Sequence, residues 1–274
     1  MSERVIIFDF DGTCTVPTTG ADESFLHAHQ AGFAELLGKT PGWAEAVYAQ
    51  ARLLICANPE HYGWEINGQI VAPALVDAFV EAQVCAQIIL KKLGEDVQSW
   101  EVRLNELYQK NYLLYQTVFR PELLTVFREL RALGTPFYIV TNSDPAKVQK
   151  RLEALGDDAQ WISPLVRGFA KKFLVTPGPE NVPEYTFFPG LHRPVKLRKQ
   201  HYYDVLTGIM EVHQVSWNKL TVIGDIAELD LAPPVAMGSY GHLVLGPNTP
   251  IFEKQWAETH PRVSTIHDLR QGII

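Results

Sequence analysis

Asp9 and Asp11 stand two residues apart where the apolar run Val5-Ile6-Ile7-Phe8 stops, with Phe10 between them and Gly12 and Thr13 after them. Along an extended chain residues i and i+2 point the same way, so the two carboxylates start on one side while Phe10 turns toward the packed side. Two like charges held that close cost energy unless a cation lies between them or one takes up a proton. Both remedies suit phosphoryl transfer: a magnesium ion offsets the charge, one carboxylate attacks phosphorus, and the other shuttles a proton. Gly12 lets the backbone turn sharply as the strand ends, and Thr13 can hydrogen-bond locally to hold the turn. A strand ending in a solvated acidic turn would leave the same short pattern, so other residues must decide. Cys14 follows directly, but no histidine lies close to it in sequence to lower its pKa, which argues against a nucleophilic thiol.

The elements that must position these acids can be read along the chain. Val5 to Phe8 reads as a buried parallel strand delivering carboxylates to a sheet edge, where α/β proteins build their sites. Phe137-Tyr138-Ile139-Val140 is a second such strand, followed by Thr141 and Asn142. Leu220-Thr221-Val222-Ile223 is another, ending in Gly224 and Asp225 with Glu228 and Asp230 beyond, and His242-Leu243-Val244-Leu245 a further one. Between them, one helix opens at Pro121 and runs through Leu133 to a stop at Gly134, and another opens at Pro145 and ends near Gly156. Alternating strands and helices specify a doubly wound parallel α/β sheet, which brings the polar strand ends together as an acidic pocket with a hydroxyl donor.

Residues 22 to 119 are helical in period instead. Four apolar stripes mark four helices of a separate bundle: Leu26, Phe33, Leu36, Leu37; Trp43, Val47, Ala51, Leu54; Val76, Val80, Val84; and Trp100, Leu104, Leu107, Leu114. The stretch Asn58 to Gly68 breaks the second from the third. Six prolines make residues 157 to 200 the least regular part, although Phe173-Leu174-Val175 is a candidate strand. Seven basic residues between Arg167 and Lys199, against Glu180 and Glu184, either line an anion site or form a solvated loop.

The run Asp9-Phe10-Asp11-Gly12-Thr13, the pair Thr141-Asn142, a basic residue before a late helix, and Gly224-Asp225 through Asp230 resemble the four motifs of the haloacid dehalogenase-like hydrolase superfamily. The resemblance implies a Rossmann-like core at residues 1–20 and 120–274, with an inserted α-helical cap of the C1 type at 21–119. It implies Asp9 as the nucleophile that becomes aspartyl-phosphate and Asp11 as the general acid/base. Thr141 and the backbone at Asn142 would hold phosphoryl oxygens. Mg2+ would bind Asp9, the carbonyl of Asp11 and Asp225, supported by Asp230, with Glu228 near enough to compete for that last place. The third-motif base falls on Lys199, just before the helix starting near Tyr202, with Lys196 and Lys172 as rivals. Asp11 separates phosphatases and phosphotransferases from the dehalogenating branch, so the expected reaction is magnesium-dependent hydrolysis of a small phosphorylated metabolite. A catalytically inactive binding or regulatory protein, and a phosphotransferase to an acceptor other than water, are the alternatives.

Composition bounds the rest. A chain of 274 residues, 46% hydrophobic and 20% charged, can bury a large core, and disorder is not its default. A net charge of −7 argues against nucleic acid or an anionic membrane held by bulk electrostatics. No apolar run approaches a membrane span, and the first residues lead into the strand without a signal-peptide pattern. Cys14, Cys56 and Cys85 follow no metal spacing and fit free thiols, so a cytoplasmic location is the expectation. Trp43, Trp64 and Trp100 could stack on a ligand but are more often core, and His27, His29 and His61 are expected on the surface or as satisfied core residues. Nothing in residues 22 to 119 identifies a substrate, and the sequence is silent on oligomeric state.

Overall fold

Strand β1 (Val5–Phe8) is a run of β-branched and aromatic side chains that suits a strand buried on both faces, and all four residues are inaccessible to solvent. The computed structural model describes residues 4–16, 19–112 and 117–273. The chain divides into two units, Met1–Val16 with Phe119–Ile274, and Pro17–Val118.

After β1 the chain enters the second unit, which holds α1 (Thr19–Leu36), α2 (Pro41–Ala57), β2 (Gly63–Ile66), β3 (Gln69–Pro73), α3 (Ala78–Leu93) and α4 (Val97–Tyr112). The four helices answer the four stripes: Phe33, Ala51, Val80, Val84, Trp100 and Leu107 meet in one core, with Trp43 and Trp64 packed against it. Leu36 is exposed instead, Val76 precedes Asp77, the N-cap of α3, and Leu114 lies outside the described residues. The hairpin of β2 and β3 departs from the sequence reading, in which residues 58–68 form only a break. Its turn is Asn67-Gly68, both with positive φ (50° and 74°), the geometry that matches strand twist and selects Asn-Gly. His29 is buried with its ring nitrogen 3.1 Å from the Tyr48 hydroxyl, and burial pushes its pKa down to about 4, so it is a neutral core residue.

The other unit resumes with α5 (Leu123–Ala132), β4 (Phe137–Val140), α6 (Pro145–Leu152), α7 (Ala159–Ile162) and the two-residue β5 (Val166–Arg167). Then come β6 (Tyr185–Thr186), β7 (Val195–Lys196), α8 (Gln200–His213), β8 (Leu220–Gly224), α9 (Ala232–Ala236), β9 (Tyr240–Val244), α10 (Ile251–Thr259) and β10 (Val263–Ile266). Six strands pair in parallel in the order β10-β9-β8-β1-β4-β5. Strand alternation splits the core into two layers. Ile6 and Phe8 pack with Phe127, Phe137 and Val148 under α5 and α6. Val5, Ile7 and Val222 pack with Tyr203, Leu206 and Trp256 under α8 and α10. Phe127 stacks on Phe137 at 4.6 Å and meets Phe8 edge-on at 5.2 Å. Each such ring removed from water stabilises the fold by about 1.5–3 kcal/mol.

Two local expectations change. Pro121 lies in the turn before α5, whose N-cap is Glu122, and Phe173 to Val175 is irregular chain. Among the described residues that segment joins no strand: the six-stranded sheet ends at β5, and β6 pairs with β7. β1 lies between β4 and β8, where the strand order reverses; such a switch point opens a crevice at the carboxyl ends of the strands.

Candidate active site

Asp9 leaves β1 still paired, its N–H donating to the Ile223 carbonyl at 2.9 Å, and its carboxylate is buried. The chain then folds back, with the N–H groups of Cys14 and Thr15 both donating to the Phe10 carbonyl at 2.9 and 3.2 Å. Arg120 locks this turn from outside by donating to the carbonyls of Thr13 and Gly12 at 2.8 and 3.0 Å. Phe10 is buried among the residues under α5 and α6, on the packed side as its position in the run implies. Cys14 is buried with its sulfur 3.1 Å from the Asp9 carbonyl oxygen, and burial with the Asp9 charge raises its pKa well above the usual thiol value. It is an inert packing residue.

Gly12 is the tightest point of the turn. Its φ is +84°, and a Cβ there would fall 2.1 Å from Asp225 Oδ2. Gly12→Ala is therefore expected to displace Asp225, strain the backbone by about 1–2 kcal/mol, and weaken divalent-cation binding at least tenfold, as read by calorimetric titration. Unchanged affinity would show that the turn yields without disturbing the carboxylate.

The acids after β8 are set by a π-helical turn over Ala227–Leu231. Asp230 donates its N–H to the Ile226 carbonyl at 2.8 Å and accepts the Ile226 N–H on Oδ2 at 3.1 Å, so backbone and side chain are fixed together. Thr13 Oγ1 donates to Asp225 Oδ1 at 2.9 Å. As a result Asp9, Asp225 and Asp230 each offer an oxygen within 4.8 Å of the others. Glu228 is turned away. Arg193 holds its carboxylate through two bonds of 2.8 and 2.6 Å, its carbonyl accepts from Lys199 Nζ at 2.7 Å, and its N–H donates to Glu253 Oε1 at 3.0 Å.

Of the three candidate lysines, it is Lys172, a rival of Lys199 in the sequence reading, that lies against the acids. Its Nζ donates to Asp9 Oδ1 at 2.6 Å and to Asp230 Oδ1 at 2.8 Å, and the residue is 1% exposed. Lys199 is equally buried but spends its ammonium on the Glu228 carbonyl, and burial lowers its pKa to about 7 against the pull of Glu228 and Asp230. Lys196 lies at the surface against Glu184. Lys172 reaches the site because the chain after β5 runs alongside the loop after β4. The N–H groups of Phe169, Ala170 and Lys172 donate to Ser143 O, Thr141 O and Asn142 Oδ1 at 3.0, 2.9 and 2.7 Å. Phe169 and Lys171 adopt left-handed φ of 52° and 47° to do so, at about 1–2 kcal/mol each. Asn142 thus uses its side chain to position the lysine. Thr141 is buried at the end of β4, and its Oγ1 accepts from the Ser143 N–H at 3.1 Å.

Charge in this cluster does not balance. Burial alone would depress the Lys172 ammonium, but Asp230 and Asp9 more than offset it and hold it above the usual lysine value. One ammonium cannot satisfy both carboxylates, so burial, with the repulsion of Asp230 and Asp11, still pushes Asp9 up to about 7. The donors are all hard oxygens and the deficit is negative, which fits a small divalent cation such as Mg2+. Asp11, part-exposed, faces the other way along the edge: Ser143 Oγ donates to its Oδ2 at 2.8 Å and Arg151 Nη1 to its Oδ1 at 2.6 Å.

A parallel sheet with converging carboxylates and a buried lysine at its switch point defines a Rossmann-like α/β enzyme core. A family model described as haloacid dehalogenase-like hydrolase matches residues 3–179, and the chain belongs to that family. No curated protein matches the chain. Among solved structures it resembles a haloacid dehalogenase-like hydrolase from Bacteroides fragilis, at 14% identity over 98% of both chains with a TM-score of 0.55. A magnesium-bound HAD-hydrolase from Bacillus subtilis aligns at 15% identity over 99% of this chain and 97% of its own, TM-score 0.52. A protein from Haemophilus somnus described as a predicted phosphoglycolate phosphatase aligns at 13% identity over 97% and 95%, TM-score 0.52. At these identities the likeness is one of fold. The chain is a hydrolase by family, and no helix among the described residues is long and apolar enough to cross a membrane.

Proposed function

We propose that this protein is a magnesium-dependent phosphatase of small phosphate monoesters in the cytoplasm, acting through an aspartyl-phosphate on Asp9. The observation that carries the reading is the placement of Asp9: paired to Lys172, within reach of Asp225 and Asp230, and followed by a second acid at the same sheet edge. Asp9 Oδ attacks phosphorus and the bond to the leaving oxygen breaks, while the protonated Asp11 gives its proton to that oxygen. Asp11, now ionised, takes a proton from water as the water oxygen attacks phosphorus and frees Asp9. Lys172 and the Thr141 hydroxyl, with the backbone at Asn142, hold the phosphoryl oxygens, so that catalysis is mainly positioning and charge stabilisation. Asp9, Asp225 and the Asp11 carbonyl, supported by Asp230, would hold Mg2+, which would supply positive charge toward the transferring group. The helical unit, inserted between the first and second motifs, takes the role of a C1-type cap that chooses the substrate.

The test is a panel of sugar, nucleotide, glycolate-type and aryl phosphates assayed with magnesium and after chelation. Release of phosphate from at least one ester, falling by at least about 10²-fold on chelation, is the expected result. Folded protein that releases none would overturn the reading in favour of a binding module.

A further inference from the structure

Both oxygens of Asp11 are held by residues outside the four motifs. Ser143 takes Oδ2 from the loop after β4, and Arg151, on the last turn of α6, takes Oδ1. The helix geometry explains the reach: side chains lean toward the helix N-terminus, and that end of α6 lies at the carboxyl edge of β4, so a long arginine points back to the site. The guanidinium also lies over the Phe10 ring, 4.6 Å from its centre, and the Arg151 side chain is only 13% exposed. Phe10 therefore fixes the arginine that fixes its own sequence neighbour. Such a pair, a planar fork with an aromatic floor, is held far more firmly than an exposed salt bridge.

We propose that Arg151, seconded by Ser143, is a positioning residue that aims Asp11 at the leaving-group oxygen. The inference rests on the phosphatase reading and deepens it. A carboxylate oxygen has two lone-pair directions. With one on each oxygen taken by Arg151 or Ser143, the carboxyl group cannot rotate, and the proton it shuttles is confined to the remaining directions. Loss of that aim affects the step in which the leaving oxygen must be protonated. It spares substrates whose leaving group departs as a stable anion, because those need no proton.

The experiment compares kcat/KM, which reports events up to departure of the leaving group, for an alkyl phosphate and for an acyl phosphate. Wild type, Arg151→Lys, Arg151→Met and Ser143→Ala are measured with saturating magnesium. The expected result for Arg151→Met is a drop of about 10²-fold on the alkyl ester and within about threefold on the acyl phosphate, with Arg151→Lys between it and the wild type and Ser143→Ala weaker. Equal losses on both substrates, or none, would overturn the positioning role. If Arg151→Met does not fold, the same leaving-group contrast is read from Arg151→Lys and Ser143→Ala. A wild type active on neither substrate class is a different failure, that of the phosphatase reading itself.

Discussion

Asp9→Asn is expected to lose phosphate release by at least about 10⁴-fold and, without metal, to be more stable than the wild type at pH 8. The first effect follows from the loss of the nucleophile. The second follows from burial, which raises the folded-state pKa of Asp9 from its ordinary value of 3.8 to about 7. A raised acid binds its proton more tightly in the folded state, so stability is lost as pH climbs from about 4 to about 7 and stays lost above. Asparagine keeps the shape without the charge. Urea midpoints of the metal-free proteins at pH 8 and pH 4.5 measure this: the gap favouring Asp9→Asn should be wide at the first and close at the second. A variant less stable at pH 8 would mean that Lys172 more than offsets the burial of the carboxylate. The gain at the expense of activity would mark Asp9 as a group placed for chemistry against the interest of the fold.

Lys172→Met is expected to act in the opposite sense on stability. Methionine fills much of the volume but leaves Asp9 and Asp230 facing each other with no counter-charge, which costs about 3–5 kcal/mol when one partner of a buried pair is removed. Phosphate release should fall about 10²–10³-fold, and added magnesium should restore part of the stability and little of the rate. Lys199→Ala serves as the contrast. Its ammonium meets a backbone carbonyl, so turnover should stay within about tenfold while thermal stability drops. Loss of turnover in Lys199→Ala with retention in Lys172→Met would return the third-motif role to Lys199.

Those two lysines show where sequence reading reaches its limit. Asp9, Asp225 and Asp230 were legible because each lies at or just beyond the end of an apolar strand run, and parallel order alone brings adjacent strand ends together. The acidic cluster and the two-layer core follow from that pattern. Lys172 was not so placed. It follows a strand of two residues and a loop aimed by hydrogen bonds to Ser143, Thr141 and Asn142, and none of these leaves a periodic trace in sequence. Lys199 has the better local signature, standing at the N-cap of α8, yet long-range packing buries it on the Glu228 side. Glu228 meets the same limit, since only the fold brings Arg193 to its carboxylate. Arg151 lies on the helix after β4, 140 residues along the chain from Asp11, and carries no local mark at all. The hairpin in the helical unit is different: Asn67-Gly68 is a recognisable hairpin turn, masked by the proline and glycines around it.

The position of β1 between β4 and β8 has a consequence for how the molecule is made. The chain emits its central strand before either neighbour, and neither exists until residues 17–118 and α5 have followed. At synthesis rates of about 5–20 residues per second, Val5 to Phe8 waits on the order of ten seconds as an unpaired apolar segment with the nucleophile at its end. Thr15 and Phe119, which flank that long excursion, bridge to each other in the folded chain, and an inserted unit that folded first would lower the entropy of closing it relative to an unstructured loop. The insertion can thus serve the sheet before it serves any substrate.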